Sequence, residues 1–443
     1  MGILTQLVDH SEYKVLYDYS LLCTTIAVLF LGVFLLWMKE WSIHAPTKLP
    51  IVGIESSGYF ALIKARRNYY KVVLTHDQVK ELSNAPEDTV SFIHASAETM
   101  MAEYTGLRQF SVDQYIPDVL RAKLTQNLGN MKEALLDETG FALNSEIPGS
   151  AIDDGQDFHR TYFGVSILIP TEWVPVNVFT TILRIIGRIN GRVFIGLPLC
   201  RNEDWLTISI TFTGIVFRAI EKLAGVPKLI RPLYSYTRNL VKDINLHKRK
   251  ARSLLSPVIQ KRLDEETLAK KNGRAYEKHN DILQWFTDRV NPEHKTVEAL
   301  TETQLHLNMA SVHTTAIYFL NAILDLAEHQ ECMQPIREEM EAVISANGGE
   351  LDRTTLRNMR KTDSFFREAM RGKFALFTFN RKVMKNLTLS DGTYFPKGTL
   401  LAAPSAMFST NPEFIENPDT FDGFRWYKKS LEAEDRGADN KNN

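Results

Sequence analysis

Cysteine is scarce in this chain of 443 residues, which contains only Cys23, Cys200 and Cys332. No two of them form a C-x-x-C pair, which excludes a zinc knuckle and a thioredoxin-type redox motif. The last quarter of the chain has none. Such cysteine usage is typical of a protein whose soluble part occupies a reducing compartment.

An excess of charge of either sign is also missing, because 52 Lys and Arg residues accompany 53 Asp and Glu residues. A net charge of −1 argues against a nucleic-acid partner bound by bulk electrostatics. Glycine (23) and proline (17) are too few for a collagen-like fibre, and 44% hydrophobic residues are too many for a disordered chain. The composition predicts a folded globular protein.

Long hydrophobic runs are absent except for Leu21–Met38, which contains no charged side chain. At about 1.5 Å per residue, a helix of this length spans about 27 Å, enough for a thin hydrocarbon core. A cleaved signal peptide is the alternative, but three acidic residues precede the run and Lys39-Glu40-Trp41 replaces a cleavage site. The run therefore predicts a transmembrane anchor at 21–38, after a short non-cytosolic segment at 1–20.

Flanking positive charge lies after the run, at Lys39 and Lys48, so the positive-inside rule places the bulk of the chain in the cytosol. Residues 39–53 contain Pro46 and Pro50 and predict a stiff hinge. Residues 54–428 show no break in composition and predict one domain. Residues 429–443 predict a polar tail, with a loop or frayed end from Glu432 onward.

Helical periodicity dominates the domain, for example in Lys123–Leu136, Asp281–Val290 and Gln330–Ile344. Val297–Glu328 contains neither Gly nor Pro over its 32 residues and predicts a long central helix. Short apolar runs flank the turn Ser390–Thr393 near the C-terminus and predict a hairpin. The fold class that follows is mainly α with a small antiparallel β part.

The middle of the long helix, Ala310–Thr315, combines small residues, hydroxyl groups and the imidazole of His313. Hydroxyl side chains that bond the carbonyl one turn back loosen a helix locally, so a flat ligand could approach the backbone there. The alternative is a buried helix with self-satisfied hydroxyl groups and one core histidine.

Glu368 and Arg371 are spaced to share one helix face. Alone, such a pair is a common surface feature. The later segment Asn417–Trp426, rich in proline and aromatic residues, delivers Arg425. One buried carboxylate can accept both guanidinium groups, and we predict such a cluster in the core.

Taken in order, these features resemble a membrane-anchored cytochrome P-450 from the anchor to Trp426. The resemblance rests on the anchor, the hinge, Ala310–Thr315, Glu368-x-x-Arg371 and Phe421-x-x-x-Arg425-Trp426. A finer similarity, to the fungal branch that includes ent-kaurene oxidases and other terpenoid-pathway hydroxylases, rests on Leu124–Leu128, Val193–Asn202 and Asp281–Trp285. The implied architecture is the cytochrome P-450 fold, C-terminally truncated, with one transmembrane helix.

The resemblance implies a haem monooxygenase that oxidises an apolar small molecule with dioxygen, a terpenoid-type intermediate of fungal secondary metabolism. Haem is the implied cofactor, and the electrons come from NADPH through a membrane-bound reductase. The implied location is the endoplasmic reticulum membrane, single-pass, with the catalytic domain facing the cytosol.

The resemblance also assigns roles to residues. Thr314 matches the threonine that helps to deliver protons, and His313 stands where the family usually has a carboxylate, where an imidazole could relay a proton. The expected haem contacts are Arg121 and Arg381, as propionate partners, and Ala310. The structural triad beneath the haem is Glu368, Arg371 and Arg425.

One departure concerns the axial ligand, because the family binds haem iron through a cysteine thiolate in a Gly-rich loop after the Arg-Trp segment. We expect that cysteine beyond Asn443, which makes the domain incomplete. Cys23 lies in the anchor, Cys332 lacks neighbouring glycines, and Cys200 is expected to be a small buried residue. Two alternatives therefore stay open: a catalytically dead truncated form (splice form, gene-model fragment or pseudogene product), or a single-span membrane protein with a helical interaction domain.

Overall fold

The computed structural model describes residues 71–107, 119–147, 159–162, 165–168, 175–292, 295–373 and 378–435. The predicted anchor (21–38) and hinge (39–53) lie outside the described residues and stay predictions. Within the described part of the chain, no helix is both long and apolar enough to cross a membrane.

Helices dominate this part of the chain, as predicted. The α-helices of more than one turn are α1 His76–Leu82, α2 Phe92–Thr99, α3 Ala102–Thr105, α4 Lys132–Glu146, α5 Val178–Phe194, α6 Glu203–Ala224, α7 Arg231–Thr237, α8 Leu240–Lys271, α9 Ile282–Arg289, α10 Val297–Glu328, α11 Met333–Ala346, α12 Arg353–Asn358, α13 Arg360–Met370, α14 Ser405–Ser409 and α15 Arg425–Asp435. Short 3₁₀ turns occur at Leu199–Arg201, Lys228–Ile230 and Gln330–Cys332.

The strands are short and fall into three sheets. They are β1 Lys71–Val73, β2 Val90–Ser91, β3 His159–Tyr162, β4 Val165–Leu168, β5 Thr378–Val383, β6 Leu387–Thr388, β7 Tyr394–Phe395 and β8 Leu400–Ala403. β3 pairs with β4, and β6 with β7, while the third sheet has the order β1-β8-β5-β2. The predicted hairpin around Ser390–Thr393 is confirmed, with Gly392 at a φ of +81° in its turn.

The predicted small antiparallel β part is confirmed for four of the five described strand pairs and is wrong for one, because β1 runs parallel to β8. A parallel pair needs a long connection, and almost the whole domain separates these two strands along the chain. The other pairs of this sheet are antiparallel.

The prediction of one continuous helix over Lys123–Leu136 is also wrong. The chain forms a π turn at Leu120–Leu124, a single α turn at Thr125–Asn127 and a 3₁₀ turn at Leu128–Met131, and only then begins α4. The Asn127 side chain donates to the carbonyl of Lys123 at 2.8 Å, which competes with the regular ladder. Gly129 further weakens helical order.

The long helix α10 has the predicted bounds. It begins after Thr296, whose hydroxyl accepts the N–H of Ala299 at 3.2 Å, and it packs against α5, α6, α8 and α13. The largest buried cluster lies around its N-terminal half, where side chains of α5, α6, α8 and α9 converge. Its middle turn therefore sits at the meeting point of several helices.

The predicted C-terminal loop is wrong for Glu432–Asp435, since α15 continues through Asp435. Arg360 of α13 explains the extension, because its guanidinium donates to Ser430 at 2.6 Å and to Glu434 at 2.8 Å. These bonds hold the last turns of α15 against α13. Residues 436–443 lie outside the described part.

Candidate functional site

A buried carboxylate organises the end of α13. Glu368 is 1% exposed. Its Oε1 accepts from Arg371 Nη2 at 2.8 Å and from the backbone N–H of Asp422 at 3.2 Å, and its Oε2 accepts from Arg425 Nε at 3.2 Å. Burial alone would raise the pKa of Glu368, but the bonds from Arg371, Arg425 and Asp422 outweigh it, so the pKa is lowered. The structure thus brings the three predicted triad residues together around one ionised carboxylate.

Both guanidinium groups also hold the backbone of the segment that precedes α15. Arg371 Nη1 donates to the carbonyl of Pro418 at 2.8 Å, and Arg425 Nη2 donates to that of Thr420 at 2.6 Å. A segment with little secondary structure of its own is therefore fixed by charged hydrogen bonds. This segment leads directly to Trp426.

A cavity of about 410 Å³ lies beside the triad. Its wall comes from α10, α13, α14 and the start of α15, and it includes Tyr318, Met370, Arg371, Ala406 and Trp426. The lining surface is mostly apolar, and two arginines, Arg367 and Arg371, also contribute to it.

One face of α10 leads to this cavity. Ala310, Thr314 and Tyr318 are spaced by four residues and so lie on the same helix face. Ala310 is exposed, Thr314 is half-buried, and Tyr318 lines the cavity. The Thr314 hydroxyl donates back to the carbonyl of Ala310 at 2.7 Å. The hydroxyl group is thus self-satisfied, yet the turn that carries it lies on the cavity side of the helix.

His313 is directed elsewhere. Its Nε2 lies 2.8 Å from the carbonyl oxygen of Ile210 on α6. Because a carbonyl oxygen only accepts, Nε2 carries the hydrogen and donates it. The structure therefore places the imidazole in a bridge between α10 and α6.

The two predicted propionate partners differ in their surroundings. Arg381 of β5 is half-buried, with its guanidinium 5.4 Å from the ring centre of Phe92 and 4.7 Å from that of Phe379. Among the described residues it makes no ion pair within 4 Å, and burial lowers its pKa, so an anionic group would suit it. Arg121 lies in the π turn Leu120–Leu124 with an exposed side chain.

Neither described cysteine reaches the cavity. Cys200 is 1% exposed, and its Sγ lies 3.8 Å from Glu138, so burial and then that carboxylate raise the pKa of the thiol to about 12. Cys332 is buried near Gly423 and Phe365. Within the described ranges no three His, Cys, Asp or Glu side chains gather as a metal site. The cavity and Arg381 fit the edge of a haem site, but neither described cysteine supplies its axial thiolate.

The arrangement defines a mainly helical protein with a buried Glu-Arg-Arg cluster beside a cleft on the long helix α10. The family model for cytochrome P450 matches residues 177–439. A cytochrome P450 monooxygenase of Emericella nidulans is 37% identical over 377 residues, covering 85% of this chain and 66% of the relative. The chain belongs to the cytochrome P450 family.

Other similar proteins belong to the same family. A cytochrome P450 monooxygenase of Penicillium canescens is 31% identical, with 82% of this chain and 64% of the relative covered. An ent-kaurene oxidase of Gibberella fujikuroi is 29% identical, with 81% and 66% covered. The chain thus spans about two thirds of the length of the curated relatives it matches. The solved structure of retinoic acid bound cyanobacterial CYP120A1 has a TM-score of 0.51 at 15% identity, covering 78% of this chain and 68% of that one, and supports the fold.

Three features of the site were not predicted from the sequence. Tyr318 follows Thr314 by four residues, so extending the helix face by one turn would have found it. The Ile210 carbonyl that accepts from His313, and Asn190, whose Nδ2 donates to Ser311 at 3.2 Å, carry no sequence signal. They meet α10 only because α5 and α6 pack against it.

Proposed function

We propose that the whole protein is a haem monooxygenase that oxidises an apolar small molecule with dioxygen and electrons from an NADPH-dependent reductase. The main structural support is the ionised Glu368 cluster, which lies beside a cavity lined by Arg371, Tyr318 and Trp426. The cluster of Glu368, Arg371 and Arg425 thus lies next to an apolar cleft on the helix face of α10 that carries Thr314. Membership of a family whose relatives are named monooxygenases supports the same reaction class.

The chain's own residues would hold the cofactor from its edges. Haem, when bound, supplies the activation of oxygen. Arg381, a half-buried cation against two aromatic rings, would receive a propionate, and Arg121 would do so from the exposed π turn. Ala310 would leave room for the porphyrin face, while the Thr314 hydroxyl would hold a proton on the same side.

The second candidate is a catalytically inactive form that has no cysteine at the cavity. Cys200 and Cys332 are both buried away from the cavity, and the raised pKa of each thiol keeps it protonated. Without a thiolate, the chain would keep the family scaffold and lose the oxygen chemistry.

Carbon monoxide spectroscopy of the reduced full-length protein decides between the two candidates. We expect a thiolate-type Soret band, and the same band in Cys200→Ser and Cys332→Ser, because neither sulfur reaches the cavity. Folded protein without bound haem would contradict the proposed function and support the inactive form. A band lost in one serine variant would contradict the placement of that cysteine.

The substrate class we propose is a terpenoid-type intermediate of fungal secondary metabolism. The support is similarity to fungal monooxygenases, one of which is named as an ent-kaurene oxidase. The apolar lining of the cavity agrees with a substrate that lacks charge.

We further propose that the protein resides in the endoplasmic reticulum membrane, anchored by residues 21–38, with its domain facing the cytosol. A surface around α7 supports contact with lipid. Leu229, Ile230, Leu233 and Tyr236 are all exposed there, Leu233 by 67% and Tyr236 by 83%. Exposed apolar side chains so close together in the chain mark an interaction surface, and the adjacent Lys228 suits anionic headgroups.

A tryptophan placed on this surface should report contact with lipid. In full-length protein reconstituted into vesicles, we expect brominated lipid to quench the added fluorescence of Leu233→Trp. Leu356→Trp is the matched control, because Leu356 is also exposed (58%) but lies on α12, outside this surface. Equal quenching at both positions, or none at residue 233, would contradict the proposed contact.

A further inference from the structure

The geometry assigns His313 a positioning role: it ties α6 to the turn of α10 that carries Thr314, and it does not relay protons. The carrying contact is the 2.8 Å hydrogen bond from His313 Nε2 to the carbonyl oxygen of Ile210. This role departs from the proton relay expected of the imidazole at position 313. Its consequence for proton delivery rests on the proposed function, but the contact itself does not.

The bond lies inside a close helix crossing. Val312 and Ala316 of α10 are buried against Ile182 and Leu183 of α5, and Ile210 of α6 packs on the same cluster. A β-carbon on Gly187 of α5 would stand 2.7 Å from a side-chain carbon of α6, so these two helices also touch closely. A donor at this crossing can reach a backbone carbonyl in mid-helix, which retains a second lone pair for it.

The neighbouring residue fixes the other side of the same turn. The Ser311 hydroxyl accepts from Asn190 of α5 at 3.2 Å and donates to the carbonyl of Leu307 at 2.8 Å. The Thr314 hydroxyl stays within its own helix, on Ala310 and Ser311. Two flanking helices therefore position the turn, and a displacement of α6 would be transmitted to Thr314 through His313.

Hydrogen-bond chemistry separates this role from a proton relay. A glutamine amide can donate to the Ile210 carbonyl as the imidazole does, but it is a poor acid or base. An ionised glutamate can relay a proton but only accepts hydrogen bonds, so it would face the carbonyl with like partial charge. Asparagine carries the same amide as glutamine one methylene shorter and should not reach.

Amide hydrogen exchange of the full chain, measured without haem, tests the hydrogen bond between His313 and Ile210. We expect His313→Gln to protect the amides of α6 as the wild type does. His313→Asn and His313→Glu should exchange about fivefold faster there, as expected for the loss of one net hydrogen bond. Thr315→Glu is the matched control, since it adds the same charge at an exposed position of the same turn, and it should leave α6 unchanged.

Exchange in His313→Gln as fast as in His313→Asn, or wild-type exchange in all three variants, would overturn the proposal. In the haem-loaded protein we expect product formation to survive His313→Gln and to fall in His313→Glu. The reverse order would identify a proton relay and would also overturn it. Failure of the proposed function would appear as a missing thiolate band, while the exchange result would still decide the role of His313.

Discussion

Replacing Glu368 by glutamine should lower the free energy of unfolding by about 3–5 kcal/mol, as expected when one partner of a buried charged cluster is removed. The amide would present its N–H₂ group to guanidinium donors and would leave Arg371 and Arg425 without a buried counter-charge. Both arginines also hold the segment before α15, so its order should decline with the cluster. Urea denaturation of the full chain at pH 7 measures the loss.

The matched control is Asp363→Asn on the same helix. Asp363 also pairs with an arginine, Arg367 Nε at 2.8 Å, but both side chains are exposed. An exposed pair of this kind contributes about 0–1 kcal/mol, so the control should stay close to the wild type. Equal losses in the two variants would contradict the buried cluster as the source of the effect.

The same carboxylate fixes the sign of the pH dependence. Because its pKa is lower in the folded state than in the unfolded chain, its stabilising contribution is complete at neutral pH. The contribution is lost as the pH falls below the ordinary glutamate range and through the depressed value. Glu368→Gln should therefore lose less stability between neutral and acidic pH than the wild type does.

The elements that the sequence predicts well are those whose determinants are local. The long helix α10 follows from 32 residues without Gly or Pro, and the β6–β7 hairpin follows from Asp391-Gly392 between apolar runs. The break at Leu128–Met131 could also have been read locally, from Gly129 and Asn127. The parallel pairing of β1 with β8 could not, because the two strands are distant in the chain.

The sequence is enough to identify the residues of the site, but it does not show which neighbours their side chains contact. The spacing of Glu368 and Arg371 puts them on one helix face, and only the folded chain brings in Arg425 and the carbonyls of Pro418 and Thr420. Likewise, helix periodicity separates His313 from Thr314 by about 100°. Which neighbour each one meets depends on how α5 and α6 cross α10.

Two sequence segments that carried the finer resemblance, Val193–Asn202 and Asp281–Trp285, are bridged by one side chain of α8. Arg262 of α8 donates to both oxygens of Asp281 at 2.7 Å and to the carbonyl of Ile195 at 3.3 Å. Gly196 follows at a φ of +72°, and a β-carbon there would stand 3.2 Å from Asp281 Oδ2. Glycine adopts this backbone angle without strain and leaves room for the carboxylate.

Asp281 is also the N-cap residue of α9. Its Oδ1 accepts the backbone N–H of Gln284 at 2.9 Å, and both members of the Arg262–Asp281 pair are 6% exposed at the side chain. The carboxylate thus satisfies a buried guanidinium and a helix terminus together. Removing this carboxylate should lower the free energy of unfolding by more than the loss of either contact alone.

We therefore expect Asp281→Ala to lower the free energy of unfolding by about 3–5 kcal/mol for the uncompensated Arg262 charge, with about 1 kcal/mol more for the lost cap. Arg262→Met should lose the first amount only, because the cap remains. The double variant should be less destabilised than the sum of the two, since no buried charge is left unpaired in it. Urea denaturation of the four proteins measures the coupling, and strictly additive losses would mean that the pair is not a buried, mutually dependent unit.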